Sequence, residues 1–274
     1  MKAPPDAVLG RFGVTAPVLV AETKIATVWK VDFGKEPAAM KFYKNGDMQD
    51  ECPGFDLLKA LDGNGAARIH AVDDGAALME WLDGPTLGDL SRAGRDDDAN
   101  AMLAKIAGEI HGAGIDLPLT PLTDRFAALR NLTLPSHWPD AVRRNLHRGQ
   151  QIAAAMLTAQ QDIRPLHGDL HHDNVKQGSR GWVSFDAKGV LGDPAYDLAN
   201  AFKNPIDAPA ITMNPARIKR LARTFSDILK IAPKRLLGWA VAHCALSMAW
   251  TDDPSTDAHH PLLDMLLRLY ADLE

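Results

Sequence analysis

The chain is poor in cysteine. Only Cys52 and Cys244 occur, far apart and in no metal-like spacing. A disulfide framework or a zinc knuckle needs more thiols at closer intervals, so neither fits, and a reducing cytoplasm does. Long apolar runs are missing as well. The longest, residues 236–250, is shorter than the roughly 20 residues of a membrane span and carries His243 and Ser247, so a buried helix is expected and a membrane partner is not. The start, Met1-Lys2-Ala3-Pro4-Pro5-Asp6, lacks the apolar core of a signal peptide. Positive charge is not in excess either. The formal net charge is -5, with Lys and Arg scattered among acids, which argues against nucleic acid and against an anionic membrane surface. There is no internal repeat, no low-complexity tract and no Gly-x-x-x-x-Gly-Lys-Ser/Thr loop, which closes the P-loop route to nucleotide binding.

What remains is the composition of a soluble globular protein: 274 residues, 46% hydrophobic and 24% charged. That length exceeds what one compact core needs, so one large domain or two lobes both fit. The first third alternates short extended segments with turns. Strands are expected over residues 17–20, 26–31 and 38–43, with Asp32-Phe33-Gly34-Lys35 turning the second into the third. A helix is expected over 53–61, where Pro53 is tolerable only in the first turn. Two more strands follow, over 67–72 and 77–80, joined by a hairpin at Asp73-Asp74-Gly75. Beyond Asp83-Gly84-Pro85 the periodicity turns helical. Met102, Leu103, Ile106, Ala107 and Ile110 share one face behind Asp96-Asp97-Asp98, acids suited to a helix N-terminus. Val142, Leu146, Ile152, Met156 and Leu157 mark a long helix, and Ile218, Leu221, Ala222, Phe225, Ile228 and Leu229 another. The expected architecture is therefore α+β and two-lobed. A small β-rich lobe spans 1–82, a larger mainly helical lobe spans 83–274, a hinge lies at 81–85, and the cleft between them is the natural ligand site.

The chemistry gathers in three blocks. Leu166-His167-Gly168-Asp169-Leu170-His171-His172-Asp173-Asn174-Val175 reads as a short strand and a polar loop. Trp182-Val183-Ser184-Phe185-Asp186-Ala187-Lys188-Gly189 reads as a return strand ending in an acid, and Gly192-Asp193-Pro194-Ala195-Tyr196-Asp197-Leu198-Ala199 follows. Singly, a His-Gly-Asp is a turn and a Phe-Asp a helix cap. Jointly, an acid, an amide five residues later and a second acid beyond a hairpin can converge at one mouth. Such a set supplies one carboxylate, Asp169, to orient or deprotonate a hydroxyl, and two oxygen ligands, Asn174 and Asp186, for Mg²⁺ on ATP. Phosphoryl transfer asks mainly for positioning and charge neutralisation, which these groups provide.

The blocks resemble the aminoglycoside phosphotransferase superfamily, in particular its streptomycin 6-kinase and hydroxyurea-resistance kinase branch. Weaker support comes from Ala38-Ala39-Met40-Lys41, Trp81-Leu82-Asp83-Gly84-Pro85 and Arg235-Leu236-Leu237-Gly238-Trp239-Ala240. The similarity runs over most of the chain from about residue 13, and Ala187 departs from the branch by standing where proline is usual. The resemblance implies a protein-kinase-like fold, ATP or GTP as donor, Mg²⁺, and transfer to the hydroxyl of a small molecule. Lys41 would reach the nucleotide phosphates and Glu51 would pair with it. The segment 21–27, through Thr23 or Lys24, would cover the phosphates, and the backbone from Glu80 to Leu82 would meet the adenine. His167, His172 and Asp197 would support the loop by hydrogen bonds. Lys188 would either contact phosphate or form a surface salt bridge. A cationic aminoglycoside acceptor would favour carboxylates near Asp169, with Asp207, Asp227, Asp252 and Asp253 as candidates, and Trp239 or Trp250 would line the pocket. Hydroxyurea, small and neutral, would need no acids. A kinase of an ordinary sugar or amino alcohol on the same fold is the other reading. A nucleotide-binding module without turnover and a zinc hydrolase built on the histidines fit less well.

Overall fold

Lys41 lies near the middle of the central strand of a five-stranded antiparallel sheet. The computed structural model describes residues 4–46, 48, 51–73 and 75–273. The sheet contains β1 (Val14–Glu22), β2 (Ala26–Phe33), β3 (Glu36–Tyr43), β4 (Ile69–Asp73) and β5 (Ala76–Glu80), in the order β1-β2-β3-β5-β4. Lys41 pairs with Val28 on one side and Ala77 on the other. Trp29, Val31, Ala38, Met40 and Leu78 bury one face against Val8 and Phe12 of α1 (Asp6–Phe12). The first strand runs further than the sequence pattern suggests, because its pairing with β2 continues through two irregularities. Asp74 of the expected hairpin turn lies outside the described residues.

The helix α2 (Cys52–Leu61) belongs to both halves of the molecule. Phe55 packs with Ala26, Tyr43 and Ala77 of the sheet, whereas Leu57, Leu58 and Leu61 join the large core formed by the later helices.

After Leu82 the chain is mainly helical, with α3 (Leu87–Arg92), α4 (Asp96–His111), α5 (Leu122–Arg125), α6 (Ala127–Asn131) and α7 (Asp140–Thr158). Thr86 and Asp89 cap α3 reciprocally. Three aspartates open α4, where the helix dipole favours them. Later come α8 (Pro194–Asp197), α9 (Pro209–Thr212), α10 (Pro215–Leu229), α11 (Pro233–Ala249) and α12 (His260–Ala271). The long apolar run proves to be α11. Every residue from 236 to 248 is buried, because α7, α10 and α12 pack around it. Among the described residues no helix is long and apolar enough to cross a membrane.

Short strands place the three motif blocks. β7 (Arg164–Leu166) pairs antiparallel with β10 (Val190–Gly192), which also pairs with β6 (Thr120–Pro121). β8 (Val175–Gly178) and β9 (Gly181–Ser184) form a separate hairpin. The sequence suggests one strand and one return strand; the structure has two interleaved pairs. Leu166 faces Val190 and Val175 faces Ser184. Both pairings bring segment 167–174 to the same end as segment 185–189, so the two polar loops must lie side by side.

Candidate active site

The backbone of the first loop is fixed before any side chain reaches outward. Gly168 sits at φ 80°, a conformation side chains resist, and a Cβ there would lie 3.1 Å from Val190. The amides of His167 and Gly168 donate to the Asp197 carboxylate at 3.0 and 2.7 Å. Asp197 is almost fully buried and also contacts His111 Nε2 at 3.0 Å. Burial pushes its carboxyl up, but the His111 contact, the nearby His167 and the Gly168 amide together hold it below the usual range. His167 donates through Nε2 to the Phe185 carbonyl at 3.0 Å and accepts from the Asp169 amide, tying one loop to the other. His172 donates to Asn100 Oδ1 at 2.7 Å. Burial drives the His172 pKa down to about 3, so this ring is a neutral strut.

Asp169 is oriented by two amides. Asn174 Nδ2 donates to its backbone carbonyl at 3.0 Å and to Oδ2 at 3.2 Å, and Asn200 Nδ2 donates to Oδ1 at 2.6 Å. Asn204 in turn donates to Asn200 Oδ1 at 3.0 Å, completing a relay from the segment after α8.

The second loop carries a cluster of four charges. Lys41 Nζ lies 2.5 Å from Glu51 Oε2 and 2.7 Å from Asp186 Oδ1, and Lys188 Nζ lies 2.7 Å from Glu51 Oε1. The Tyr43 hydroxyl donates to the same glutamate. Burial pushes the Glu51 and Asp186 carboxyls up, yet Lys41 and Lys188 outweigh it and keep both below their usual range. Burial likewise pushes the Lys188 ammonium down, while Asp186, Glu51 and Asp169 carry it above the ordinary lysine value. Asp186 adopts φ 59°, a strained setting for a residue with a side chain and one that occurs at functional sites.

Two cavities border these groups. On the sheet side, a cleft of about 200 Å³ is bordered by Thr23, Lys41, Glu80, Leu82 and Asp186, with Phe55, Trp81 and Phe185 among its apolar walls. Thr23 uses its hydroxyl to close the β1–β2 turn on Ala26, at 3.1 and 3.0 Å, so that turn offers backbone rather than hydroxyl. The Glu80 carboxylate is taken by Arg180 and by the Arg68 amide at 2.8 Å, and the Glu80 amide donates to the Arg68 carbonyl at 2.9 Å. On the helical side, a cavity of about 560 Å³ is lined by Asp124, Arg125, Asp169, Lys188 and Trp250. The Arg125 guanidinium lies 5.1 Å from the Trp250 ring centroid and donates to the Tyr196 hydroxyl at 3.0 Å.

The placement corrects several expectations. None of Asp207, Asp227, Asp252 or Asp253 lines this cavity; besides Asp169, the acid that does is Asp124. Trp239 is fully buried among Phe126 and Tyr196, while Trp250, at the C-cap of α11 and 48% exposed, faces the cavity. Lys188 is a largely buried bridge to Glu51 rather than a surface ion pair. Asn200 went unread in the sequence although it stands one residue past the third block.

The donor set suits a hard cation. Asn174 spends its N–H on Asp169 and Asp186 spends Oδ1 on Lys41, which leaves Asn174 Oδ1 and Asp186 Oδ2 for a metal. Among the described residues no group of three His, Cys, Asp or Glu could hold a metal ion unaided. Two protein oxygens match Mg²⁺, which completes its shell with phosphate and water.

Residues 11–254 match the family described as aminoglycoside/hydroxyurea antibiotic resistance kinase. The chain is similar to streptomycin 3''-kinase of Klebsiella pneumoniae, 36% identical over 226 residues that cover 79% of this chain and 80% of that protein. It is 28% identical over 211 residues to streptomycin 6-kinase of Streptomyces griseus, covering 74% and 68%. A thermostable mutant of aminoglycoside phosphotransferase APH(4)-Ia, solved in ternary complex with ADP and hygromycin B, shares the fold with a TM-score of 0.64. The alignment covers 96% of this chain and 97% of that one, at 14% identity.

Proposed function

The chain belongs to the aminoglycoside/hydroxyurea antibiotic resistance kinase family and is a small-molecule phosphotransferase, and on that premise we propose that it transfers the γ-phosphoryl group of ATP to a hydroxyl of a streptomycin-like aminoglycoside. The observation that carries the reading is the position of Asp169. Its carboxylate opens into the larger cavity, while Lys41 and Asp186 border the cleft on the other side of the same polar loops. Donor and acceptor can therefore meet across one carboxylate.

In this mechanism the cleft between the sheet and Phe185 takes the nucleotide base, with the backbone from Glu80 to Leu82 along its edge. Lys41 neutralises phosphate charge while Glu51 keeps it in place. Asn174 and Asp186 would hold Mg²⁺, which would screen the β- and γ-phosphates. Asp169, locked by Asn174 and Asn200, accepts the proton of the acceptor hydroxyl as its oxygen bonds to the γ-phosphorus. The bond to the β–γ bridging oxygen breaks and its electron pair leaves with ADP. We place the lobe boundary at 82/83 and the reaction in the cytoplasm, where the two free thiols would stay reduced.

Support for an aminoglycoside over hydroxyurea comes from the cavity. A space of about 560 Å³ far exceeds a small urea, and beside Arg125 and Lys188 it presents the Asp124 carboxylate to an amino group and a half-exposed indole to a sugar ring. The test is ADP release with ATP or GTP, across streptomycin, other aminoglycosides, hydroxyurea, sugars and amino alcohols. Streptomycin-dependent turnover and a product heavier by one phosphoryl group are expected. Turnover with a sugar or amino alcohol alone would overturn the aminoglycoside assignment, and full transfer by Asp169→Ala would overturn the role of Asp169.

A further inference from the structure

A cavity of about 860 Å³ opens where the end of α10 turns into the start of α11, and it shares no lining residue with the two that border Asp169 and Lys41. Its size is that of a small-molecule site. Four of its side chains are permanent cations, Arg164, Lys230, Lys234 and Arg235, against two carboxylates, Asp162 and Asp193, in a chain whose net charge is -5. The carboxylates go to the arginines. Arg164 Nη2 lies 2.7 Å from Asp162 Oδ2, and Arg235 is paired with Asp193. The lysines, both exposed, are left over. Lys230 Nζ donates to the Asp227 carbonyl at 2.7 Å and Lys234 Nζ lies 5.7 Å from the Tyr270 ring centroid, partners that cancel no charge.

The start of α11 adds to the excess. Ala232 stands at its N-cap with no side chain to accept a hydrogen bond, and no acid occurs in the first turn. Pro233 has no amide, and the next two positions are Lys234 and Arg235. A helix N-terminus is itself partly positive, so two cations there oppose the dipole where a cap or an acid would favour it. The Arg235 side chain points to the same deficit independently. Its Nε is buried and has no hydrogen-bond partner among the described residues. A neutral occupant would leave all of this charge in place, whereas a phosphate group would balance the two lysines and supply the missing anion at the helix start. The volume far exceeds a lone phosphate ion, so the occupant carries a further organic part.

We propose that this cavity is a second ligand site, which binds a phosphorylated small molecule, a phosphomonoester or a nucleotide, through Lys230, Lys234 and the start of α11. It lies behind the loop that carries Asp169 and out of the path of transfer. His111 lines it and contacts Asp197, the carboxylate that holds the His167 and Gly168 amides, and Asp193 caps the helix that carries Asp197. That is the place of an effector, not of a reactant.

The experiment titrates glucose 6-phosphate, AMP and glucose by calorimetry into the full chain, with its nucleotide cleft already saturated by Mg²⁺·AMP-PNP. Wild type is expected to bind the phosphorylated probes at one further site and glucose not at all. The double variant Lys230→Ser, Lys234→Ser should bind them about tenfold or more weakly, as the loss of two charge-assisted contacts implies, with AMP-PNP affinity unchanged. AMP binding more tightly than glucose 6-phosphate would assign the site to a nucleotide; equal affinities would assign it to the phosphate group of either. Lys234→Glu gives a second readout, because it supplies the acid that the helix start lacks. It should melt at a higher temperature than wild type without probe and gain nothing from glucose 6-phosphate or AMP, while wild type gains with concentration. Wild type that binds neither phosphorylated probe would overturn the proposal. So would glucose binding as well as its phosphate ester, or probe affinity that survives intact in the double variant.

Discussion

Single side chains set the reaction geometry through their neighbours. Asn200 touches Asp169 Oδ1 at 2.6 Å and is itself held by Asn204, so Asn200→Ala should leave the carboxylate free to rotate. We expect kcat to fall about 10- to 100-fold with little change in KM for ATP, since misplacement by an ångström has effects of that order. Slowed turnover with normal nucleotide binding would agree; unchanged kcat would show that Asn174 alone suffices. On the acceptor side, Trp250→Ala and Asp124→Asn should each raise KM for streptomycin several-fold to about tenfold, as the loss of one stacking or ionic contact of roughly 1 kcal/mol implies. KM for ATP should not move, because neither residue borders the nucleotide cleft. Asp169, Asn174 and Asp186 were legible as a set because their spacing is a sequence property. Asp124, Arg125 and Trp250 were not, because they come from the short helix α5 and the end of α11, and only the packing of α11 against α8 and the segment after it brings them together.

At the scale of elements, α2 is the piece on which the two loops depend. Its first turn is pressed against the segment after Asp186: a Cβ on Gly54 would sit 1.8 Å from the Ala187 carbonyl oxygen, and one on Gly189 would sit 2.4 Å from that of Pro53. Gly54→Ala in a helix ordinarily stabilises by about 1 kcal/mol. Here the sign should invert, with a loss of about 1–3 kcal/mol as backbone is forced from backbone, and with weaker nucleotide affinity as Lys188 and Asp186 shift. Denaturant midpoints and AMP-PNP titration would check it, and a stabilised, fully active Gly54→Ala would contradict the close packing. The existence of α2, its proline-marked first turn and most of the strands followed from local pattern. The pairing of β3 with β5 and the interleaving of β7 with β10 did not, since each joins segments that are not neighbours in sequence, which no local periodicity encodes.

For the molecule as a whole, burial of neutral histidine fixes how stability depends on pH. His243 lies in the middle of α11, fully enclosed, with its ring against Tyr196 at 5.6 Å and Trp250 at 6.3 Å. Burial holds its pKa well below the ordinary histidine value, and the charges of Lys203 and Arg125 push the same way, as do His171 and His259. A base whose folded pKa lies below its unfolded value takes up a proton more readily when unfolded. Stability is therefore whole above the unfolded value of 6.5 and is lost progressively as pH falls below it. His171 and His172 act in the same direction. The depressed carboxyls of Asp186, Asp197 and Glu51 also lose their contribution on acidification, but only once pH drops below their unfolded values of 3.8 to 4.5. The interval from 6.5 to 5 thus belongs to histidine. Urea unfolding at pH 7.5, 6.5 and 5.5 should show a small decline over the first step and a steeper one over the last. His243→Phe, which keeps a ring between Tyr196 and Trp250, should reduce the limiting slope by about 1.4 kcal/mol per pH unit, the equivalent of one proton. An identical slope in wild type and variant would mean that this ring is already open to water and protons in the folded state, and that the helical core is less sealed around α11 than its packing requires.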